Sequence, residues 1–188
     1  HKTGTTSIQD ALFKNKELLK ENNMYYPRKL IKNHSIPLYL IFCEQSLRYM
    51  YHIFIRKGLN RPEIDTIRKN YRENLLKEFS SGHFETMIFS GEDVSVLTQE
   101  NLNELKTVFQ SSAPNAKIKI IIFLRGPLQI VTSRVQERIK NGESISSDYF
   151  FESERTGFRQ IIDKFYNVFE KENVFLYKFE DALTHRYG

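Results

Sequence analysis

The sequence predicts an α/β fold, in which helices pack on both sides of a central parallel sheet. Short apolar segments that favour strands alternate along the chain with longer segments of helical periodicity. Residues 117–124 form a nearly continuous apolar run, which is typical of a strand buried on both faces of a parallel sheet. The 188 residues contain no internal repeat and no low-complexity linker, so we expect residues 1–188 to form a single domain.

The first elements are predicted from apolar spacing. Apolar residues that recur on one face predict a helix over 5–22. A short segment at 24–26 favours a strand and ends at Pro27, which cannot continue a sheet ladder. The apolar segment 35–48 is expected to form the next helix.

The middle elements are predicted from helix caps. Asn60 is the predicted N-cap of a helix that continues to about residue 79, with Pro62 in its first turn. A strand is predicted at 86–90. Thr98 then caps a helix that ends near residue 110.

The last elements repeat the alternation of strand and helix. We expect a strand at 117–124, helices over 127–142 and 153–172, and a final strand at 174–177. Because ligands of such sheets bind at the carboxyl ends of the strands, residues that directly follow a strand are candidates for a functional site.

The charge balance, the cysteine count and the length of the apolar runs limit which ligands and partners the protein is expected to have. The chain has 28 basic and 23 acidic residues and a net charge of +5, which suits an anionic small ligand. A single cysteine, Cys43, excludes a disulfide framework and a cysteine-rich zinc site, and is compatible with a cytoplasmic location. The apolar run at 36–43 is too short to cross a membrane, so we expect no membrane span. We also expect no bound metal.

The opening stretch, HKTGTTSIQ, has the composition of an anion site. A glycine and threonine loop that leads into a helix offers backbone N–H groups and the positive end of the helix dipole. Gly4 permits close approach of the backbone, Thr5 and Thr6 supply hydroxyl donors, and Lys2 supplies a full charge. The stretch is not a Walker A loop, because its lysine precedes the glycine instead of following it.

A second candidate anion site follows the strand at 117–124. Arg125 comes directly after this strand, where its guanidinium is able to bind a phosphate through two hydrogen bonds. Ser133 lies further along, on the predicted helix over 127–142, and offers a hydroxyl to the same group.

These two motifs resemble those of the sulfotransferases that use 3′-phosphoadenosine-5′-phosphosulfate (PAPS), especially the bacterial carbohydrate-type members. The K-T-G-T-T loop, the strand that ends in R-x-P with a later serine, and F-x-Y-x-F-E-D at 175–181 are similar to family motifs. The resemblance implies a three-layer α/β/α, P-loop NTPase-like fold. It also implies a 5′-phosphosulfate site and a 3′-phosphate site, formed respectively by Lys2, Thr3, Gly4, Thr5 and Thr6, and by Arg125 and Ser133.

The sequence also departs from the family pattern. Family members have a strand before the loop and a segment after the last strand that closes over the nucleotide. We therefore expect residues 1–188 to be a sulfotransferase-like domain that lacks both. Gly126 occupies a position where the family often has Asp or Asn.

The implied reaction moves a sulfuryl group from PAPS to a hydroxyl acceptor, which we expect to be a carbohydrate or glycoconjugate. Lys2 is the candidate that stabilises charge on the leaving oxygen. Two residues are candidates for the base that removes the acceptor's proton: His34, which we favour, and Glu92, which follows the strand at 86–90.

Two other functions remain open at this point. The first is a P-loop nucleotide kinase or NTPase, which would need Mg²⁺ and, in this sequence, Glu92 or Asp93 to hold it. The second is a non-catalytic module that binds an anionic polymer or nucleic acid. Because the basic residues are spread along the chain and no nucleic-acid motif is present, we expect no nucleic-acid partner.

Overall fold

The fold is mixed α/β, as predicted. The computed structural model describes residues 5–43, 54, 57–80, 82, 84–126, 129, 132, 135–136, 139–140, 142 and 157–184. The described residues divide into two compact units, the first from Thr5 to Lys117 and the second from Ile118 onward. In the described residues each unit has helices and one two-stranded parallel sheet. The single domain over 1–188, the central sheet and the three-layer arrangement stay predictions.

The first unit begins with two helices where one was predicted. These are α1, Thr5–Lys14, and α2, Lys16–Glu21, instead of a continuous helix over 5–22. Asn15 lies between them with non-helical dihedral angles, φ −93° and ψ 43°. Its side-chain amide donates to the carbonyl of Ala11 at 2.8 Å. The Asn15 N–H donates to the same carbonyl at 3.0 Å, so the break lies in the dihedral angles of Asn15 and not in a lost backbone hydrogen bond.

The sheet of the first unit is short. Strand β1, Met24–Tyr25, pairs in parallel with β2, Thr86–Met87. Strand β2 was predicted to continue to residue 90. Instead, the Ser90 N–H donates to the imidazole of His34, and the Ser90 carbonyl accepts from the His34 N–H. Because these backbone groups bond to the loop before the next helix, they do not extend the ladder.

Helix α3, Ser35–Phe42, forms the centre of the first unit. All of its residues except Ile36 are buried, so the helix is apolar on every side rather than amphipathic. Its predicted continuation over 44–48 lies outside the described residues. Phe42 joins an aromatic cluster around Phe109, in which neighbouring ring centroids are 4.9 to 6.5 Å apart.

The next two helices begin where their caps predict. Helix α4, Arg61–Phe79, has Asn60 as its N-cap, and the Asn60 and Glu63 side chains form a reciprocal capping box. A short 3₁₀ helix, Glu92–Val96, follows β2. In helix α5, Gln99–Ser112, the Thr98 hydroxyl accepts from the N–H of Asn101. Both predicted N-caps are therefore confirmed.

The second unit contains a longer parallel pair. Strand β3, Ile120–Leu124, pairs in register with β4, Val174–Lys178. Helix α6, Phe158–Phe169, packs against β4 and buries three residues spaced along one face, namely Phe165, Val168 and Phe169. Glu170 ends α6 because it adopts a left-handed φ of 65°. A 3₁₀ turn, Lys171–Asn173, leads to β4, and helix α7, Phe179–Thr184, follows it.

The prediction that residues 117–124 are buried on both faces is wrong, because none of the residues of β3 is buried. Ile121 is 61% exposed, and its neighbour Phe175 on β4 is also exposed. An apolar run identifies a strand, but it does not determine how completely each face is covered. Of the predicted helix over 127–142, the described positions such as Gln129 and Thr132 are helical, whereas Ser133 lies outside the described residues.

Candidate functional site

The predicted site residues divide into those that the structure describes and those that it does not. Lys2, Thr3, Gly4 and Ser133 lie outside the described residues. The remaining candidates are described: Thr5, Thr6, His34 and Glu92 in the first unit, and Arg125 in the second.

Thr5 and Glu92 lie in direct contact. Thr5 is the first residue of α1, and Glu92 is the first residue of the 3₁₀ helix after β2. The Thr5 hydroxyl donates to Glu92 Oε2 at 2.8 Å, across 87 positions of sequence. Two residues that the sequence selected independently are thus neighbours. Thr6, the next residue of α1, is exposed.

The turn that presents Glu92 is packed tightly against the start of α3. A Cβ atom at Gly91 would lie 3.0 Å from the backbone nitrogen of Ser35, so a larger residue fits poorly there. The N–H of Asp93 donates to the Ser35 hydroxyl at 3.3 Å. These contacts on both sides of Glu92 fix the direction in which its backbone leaves β2.

Gln9 connects α1 to the same turn, and sequence analysis did not select it. Its amide donates to Asn33 Oδ1 at 3.2 Å and to the carbonyl of Ser90 at 3.3 Å. Asn33 Oδ1 also accepts from the N–H of Ser35 at 2.8 Å. Gln9 is only 1% exposed. Its position one helical turn after Thr5 was the available signal, because residues four apart lie on the same face of a helix.

His34 is fully enclosed, with 0% exposure. The N–H of Ser90 donates to Nδ1 at 3.2 Å, and Nε2 lies 2.8 Å from the carbonyl of Pro27. Since Nδ1 accepts, Nε2 must bear the proton that it donates to Pro27. The ring also stacks on Tyr26, with centroids 4.3 Å apart. Both ring nitrogens are therefore bonded to backbone groups.

The environment of His34 keeps it neutral. Burial lowers its pKa to about 4, although the hydrogen bond to Pro27 and the nearby carboxylate of Glu78 act in the opposite direction. Desolvation outweighs both effects because the charged imidazolium loses water on every side. At neutral pH His34 is an uncharged imidazole that connects the 27–34 loop to the end of β2.

Glu78 holds the beginning of the 27–34 loop. This buried carboxylate accepts from the Tyr25 hydroxyl at 2.5 Å, from the N–H of Arg28 at 2.7 Å, and from the N–H of Lys29. Two consecutive backbone donors on one carboxylate fix the direction of the loop after β1. Further along it, Ile31 adopts a left-handed φ of 69°, which is unusual for a β-branched residue.

Arg125 lies where the sequence predicts, directly after β3. Its guanidinium carbon is 5.1 Å from the centroid of the Phe179 ring. Phe179 is the first residue of α7 and directly follows β4. The guanidinium is therefore at the carboxyl end of the strand pair, the position expected of an anion-binding residue.

The described residues offer no obvious metal centre or membrane span. Among them, no cluster of three or more His, Cys, Asp or Glu side chains has the arrangement of a metal site. None of the helices within the described ranges combines the length and the apolar character that crossing a membrane requires.

Comparison with known proteins found no match to the chain among family models, curated proteins or solved structures. The assignment of function therefore depends on the residues themselves.

Proposed function

We propose that this protein is a sulfotransferase that moves a sulfuryl group from PAPS to a hydroxyl of a carbohydrate or related glycoconjugate. The proposal starts from the resemblance of the HKTGTTSIQ stretch, and of Arg125 with its following Gly126-Pro127, to family motifs. The observation that supports it best is the 2.8 Å hydrogen bond from Thr5 to Glu92. This contact brings a carboxylate next to the helix start that follows the predicted donor loop.

In this proposal the residues of the opening stretch and Glu92 act on two oxygens. Lys2, the Thr6 hydroxyl and the positive end of α1 stabilise the charge that develops on the leaving 5′-phosphate oxygen, whereas the Thr5 hydroxyl donates to Glu92 and orients its carboxylate. Glu92 accepts the proton of the acceptor hydroxyl as that oxygen forms its bond to sulfur. PAPS supplies the sulfuryl group, and Arg125 and Ser133 bind its 3′-phosphate.

We assign the base to Glu92 rather than to His34. In the geometry described, both His34 nitrogens are bonded to Ser90 and Pro27, and burial lowers the pKa of the ring to about 4. A base must reach the acceptor proton, and an enclosed imidazole with no unbonded nitrogen is poorly suited to do so. Glu92 lies next to Thr5, at the helix start that the donor is proposed to contact.

The first test compares nucleotide binding by calorimetry. We expect 3′,5′-adenosine bisphosphate, the product of the donor, to bind much more tightly than ADP, which has no 3′-phosphate. Arg125→Ala should weaken bisphosphate binding by about 10- to 150-fold, because a hydrogen bond to a charged group contributes roughly 1.5–3 kcal/mol. ADP binding should change little.

Lys119→Ala is the matched control for Arg125→Ala. It also removes one positive charge from beside an aromatic ring of β4, since Lys119 Nζ lies 5.9 Å from the Phe175 centroid. Lys119 directly precedes β3, at the end opposite to Arg125. Both affinities of this variant should therefore stay close to those of the wild type. If the wild type bound neither nucleotide, or bound both equally, the sulfotransferase proposal would fail.

The Thr5–Glu92 pair also favours a second candidate, a Mg²⁺-dependent nucleotide kinase or NTPase. Such enzymes hold Mg²⁺ with a loop hydroxyl and a carboxylate that follows a neighbouring strand. The position of Lys2 before Gly4 argues against this candidate. It would be supported if Mg²⁺ strengthened ATP binding at least tenfold and Glu92→Gln removed that effect.

A further inference from the structure

The register of the second sheet continues beyond the ends of its strands. The last paired residues are Leu124 and Lys178, so Arg125 and Phe179 are the next residues along each chain. The short distance between the Arg125 guanidinium and the Phe179 ring, 5.1 Å, shows that they remain neighbours. The side chain that faces Arg125 is thus determined by the pairing of β3 with β4.

Three aromatic residues occupy alternate positions along β4 and the residue that follows it. Each lies beside a residue of β3 or one that directly flanks β3. Phe175 lies beside Lys119, with Nζ 5.9 Å from the ring centroid. Tyr177 lies beside Phe123, with ring centroids 5.9 Å apart. Phe179 is the third of these, and its partner Arg125 is at the carboxyl end of the pair. Residues two apart in a strand face the same side, so Phe175 and Tyr177 form an aromatic row on β4, and Phe179, the first residue of α7, lies beside Arg125 at the predicted anion site.

We propose that Phe179 is a positioning residue that orients the guanidinium of Arg125 toward the 3′-phosphate of the nucleotide. This inference depends on the sulfotransferase function proposed above. An aromatic face attracts a guanidinium through its quadrupole and contacts the apolar surface of the group. Stacking engages the face of the guanidinium and not its N–H edge, which is the part that binds phosphate oxygens in a planar, two-pronged geometry. Phe179 therefore acts through Arg125 and does not itself touch the phosphate.

The test measures the affinities of 3′,5′-adenosine bisphosphate and of 5′-AMP, which has no 3′-phosphate, for three variants. Phe179→Leu removes the aromatic face and keeps an apolar side chain. We expect it to weaken bisphosphate binding by about 3- to 30-fold, the range of a cation–π contact, and to leave 5′-AMP binding unchanged. Phe179→Tyr retains the ring and should bind like the wild type. Phe175→Leu is the matched control, because it removes an aromatic ring of β4 that lies beside Lys119 and not beside Arg125, so it should change neither affinity.

The outcomes separate this inference from the function on which it rests. If the wild type prefers the bisphosphate and Phe179→Leu keeps the full preference, the positioning role is wrong and the sulfotransferase proposal stands. Equal weakening of both nucleotides, with a lowered melting temperature, would indicate a structural role only and would also overturn the inference. If the wild type shows no preference for the bisphosphate, both proposals fall. Should Phe179→Leu not fold, Phe179→Met tests the same loss of the ring.

Discussion

Glu92 and His34 both lie close to the turn at 90–92, because His34 bonds to Ser90 and Glu92 follows Gly91. Their surroundings suit them to different roles. The His34 ring is enclosed and bonded to the backbone at both nitrogens. Glu92 is only partly buried, and its carboxylate is bonded to a hydroxyl at the start of α1. At the scale of single residues, these contacts make His34 a candidate for stability and Glu92 a candidate for chemistry.

The role of Glu92 is tested by Glu92→Gln. The amide oxygen still accepts from the Thr5 hydroxyl, so the fold should be retained, but the side chain no longer takes up a proton at neutral pH. We expect turnover of PAPS with a hydroxyl acceptor to fall by about 10²- to 10⁴-fold, the usual contribution of a general base. Affinity for 3′,5′-adenosine bisphosphate should change much less than turnover.

Glu104→Gln is a suitable control for that variant. It removes a carboxylate of the same type from an exposed position on α5, where Glu104 pairs with Arg72 at 3.2 Å. Turnover should remain normal. Full activity of Glu92→Gln, together with a large loss in a folded His34→Gln protein, would return the base to His34.

Because burial lowers the pKa of His34, we expect the stability of the protein to depend on pH in a specific way. Its pKa is about 4 in the folded protein and 6.5 in the unfolded chain. Above pH 6.5 both states are neutral, and the contribution to stability is fully present. As the pH falls from 6.5 to 4, the unfolded chain takes up a proton that the folded protein does not. Folding should therefore lose up to about 3 kcal/mol over this range.

Urea unfolding at several pH values measures this loss. In His34→Gln the part of the pH dependence of the free energy of unfolding that is due to His34 should be absent. The free energy of unfolding of the wild type relative to that of the variant should therefore increase as the pH rises from 4 to 6.5. If the variant does not fold, an NMR titration of the His34 ring in the wild type gives the same information. A ring that titrates near pH 6.5 in the folded protein would contradict the prediction.

Single residues show what periodicity does not reveal. The sequence identifies His34 and Glu92 as candidate bases, and the structure places Glu92 beside Thr5 at the start of α1. Whether the ring of His34 is enclosed depends on Pro27 and Ser90, which are distant in sequence and have no recognisable pattern. Gln9 was missed for the same reason, since its bonding partners come from two later loops.

At the scale of elements, the 3₁₀ helix after β2 is positioned by its approach to α3. Gly91→Ala tests this approach. Gly91 has φ −154°, which alanine adopts without strain, so the cost comes only from the Cβ atom 3.0 Å from the Ser35 backbone. We expect the free energy of unfolding to fall by about 1–3 kcal/mol, as overpacked sites commonly show. Turnover should fall as well, because Glu92 is the next residue.

Gly126→Ala provides the comparison for unfolding. Its Cβ would meet only the end of the flexible Gln129 side chain, which is able to move away. The expected change is within about 0.5 kcal/mol, as for most substitutions outside packed regions. Equal stability of the two variants would show that the backbone approach at Gly91 is not a tight constraint.

The elements themselves were predicted best where a local signal marks their ends. Asn60 and Thr98 have side chains that bond to the first turn, so both helix starts were predicted correctly. The break at Asn15 lies in the non-helical dihedral angles of that residue, and the early end of β2 depends on the bonds between Ser90 and His34. Secondary-structure propensity does not predict such interruptions, because they depend on contacts that form only in the folded chain.

At the scale of the whole molecule, alternation of strands and helices predicted the mixed α/β class and the parallel pairing of strands. Tyr25 pairs with Met87 and Ile120 with Val174, each in a parallel ladder. The prediction of a single central sheet required strand order, which depends on long-range contacts that a local pattern does not specify. The exposed position of Ile121 shows the same limit for burial.

The register of β3 and β4 also determines the electrostatic environment of one cation. A shift of one position would bring either Lys178 or Glu180 beside Arg125, in place of Phe179. The first would repel the guanidinium, and the second would neutralise it. Register is set by the side chains that fill the two faces of the strands, because a shift by one residue exchanges those faces. Apolar substitutions within β4 that shift the register would therefore change the electrostatic surroundings of Arg125, the proposed phosphate-binding residue, without altering any charged residue.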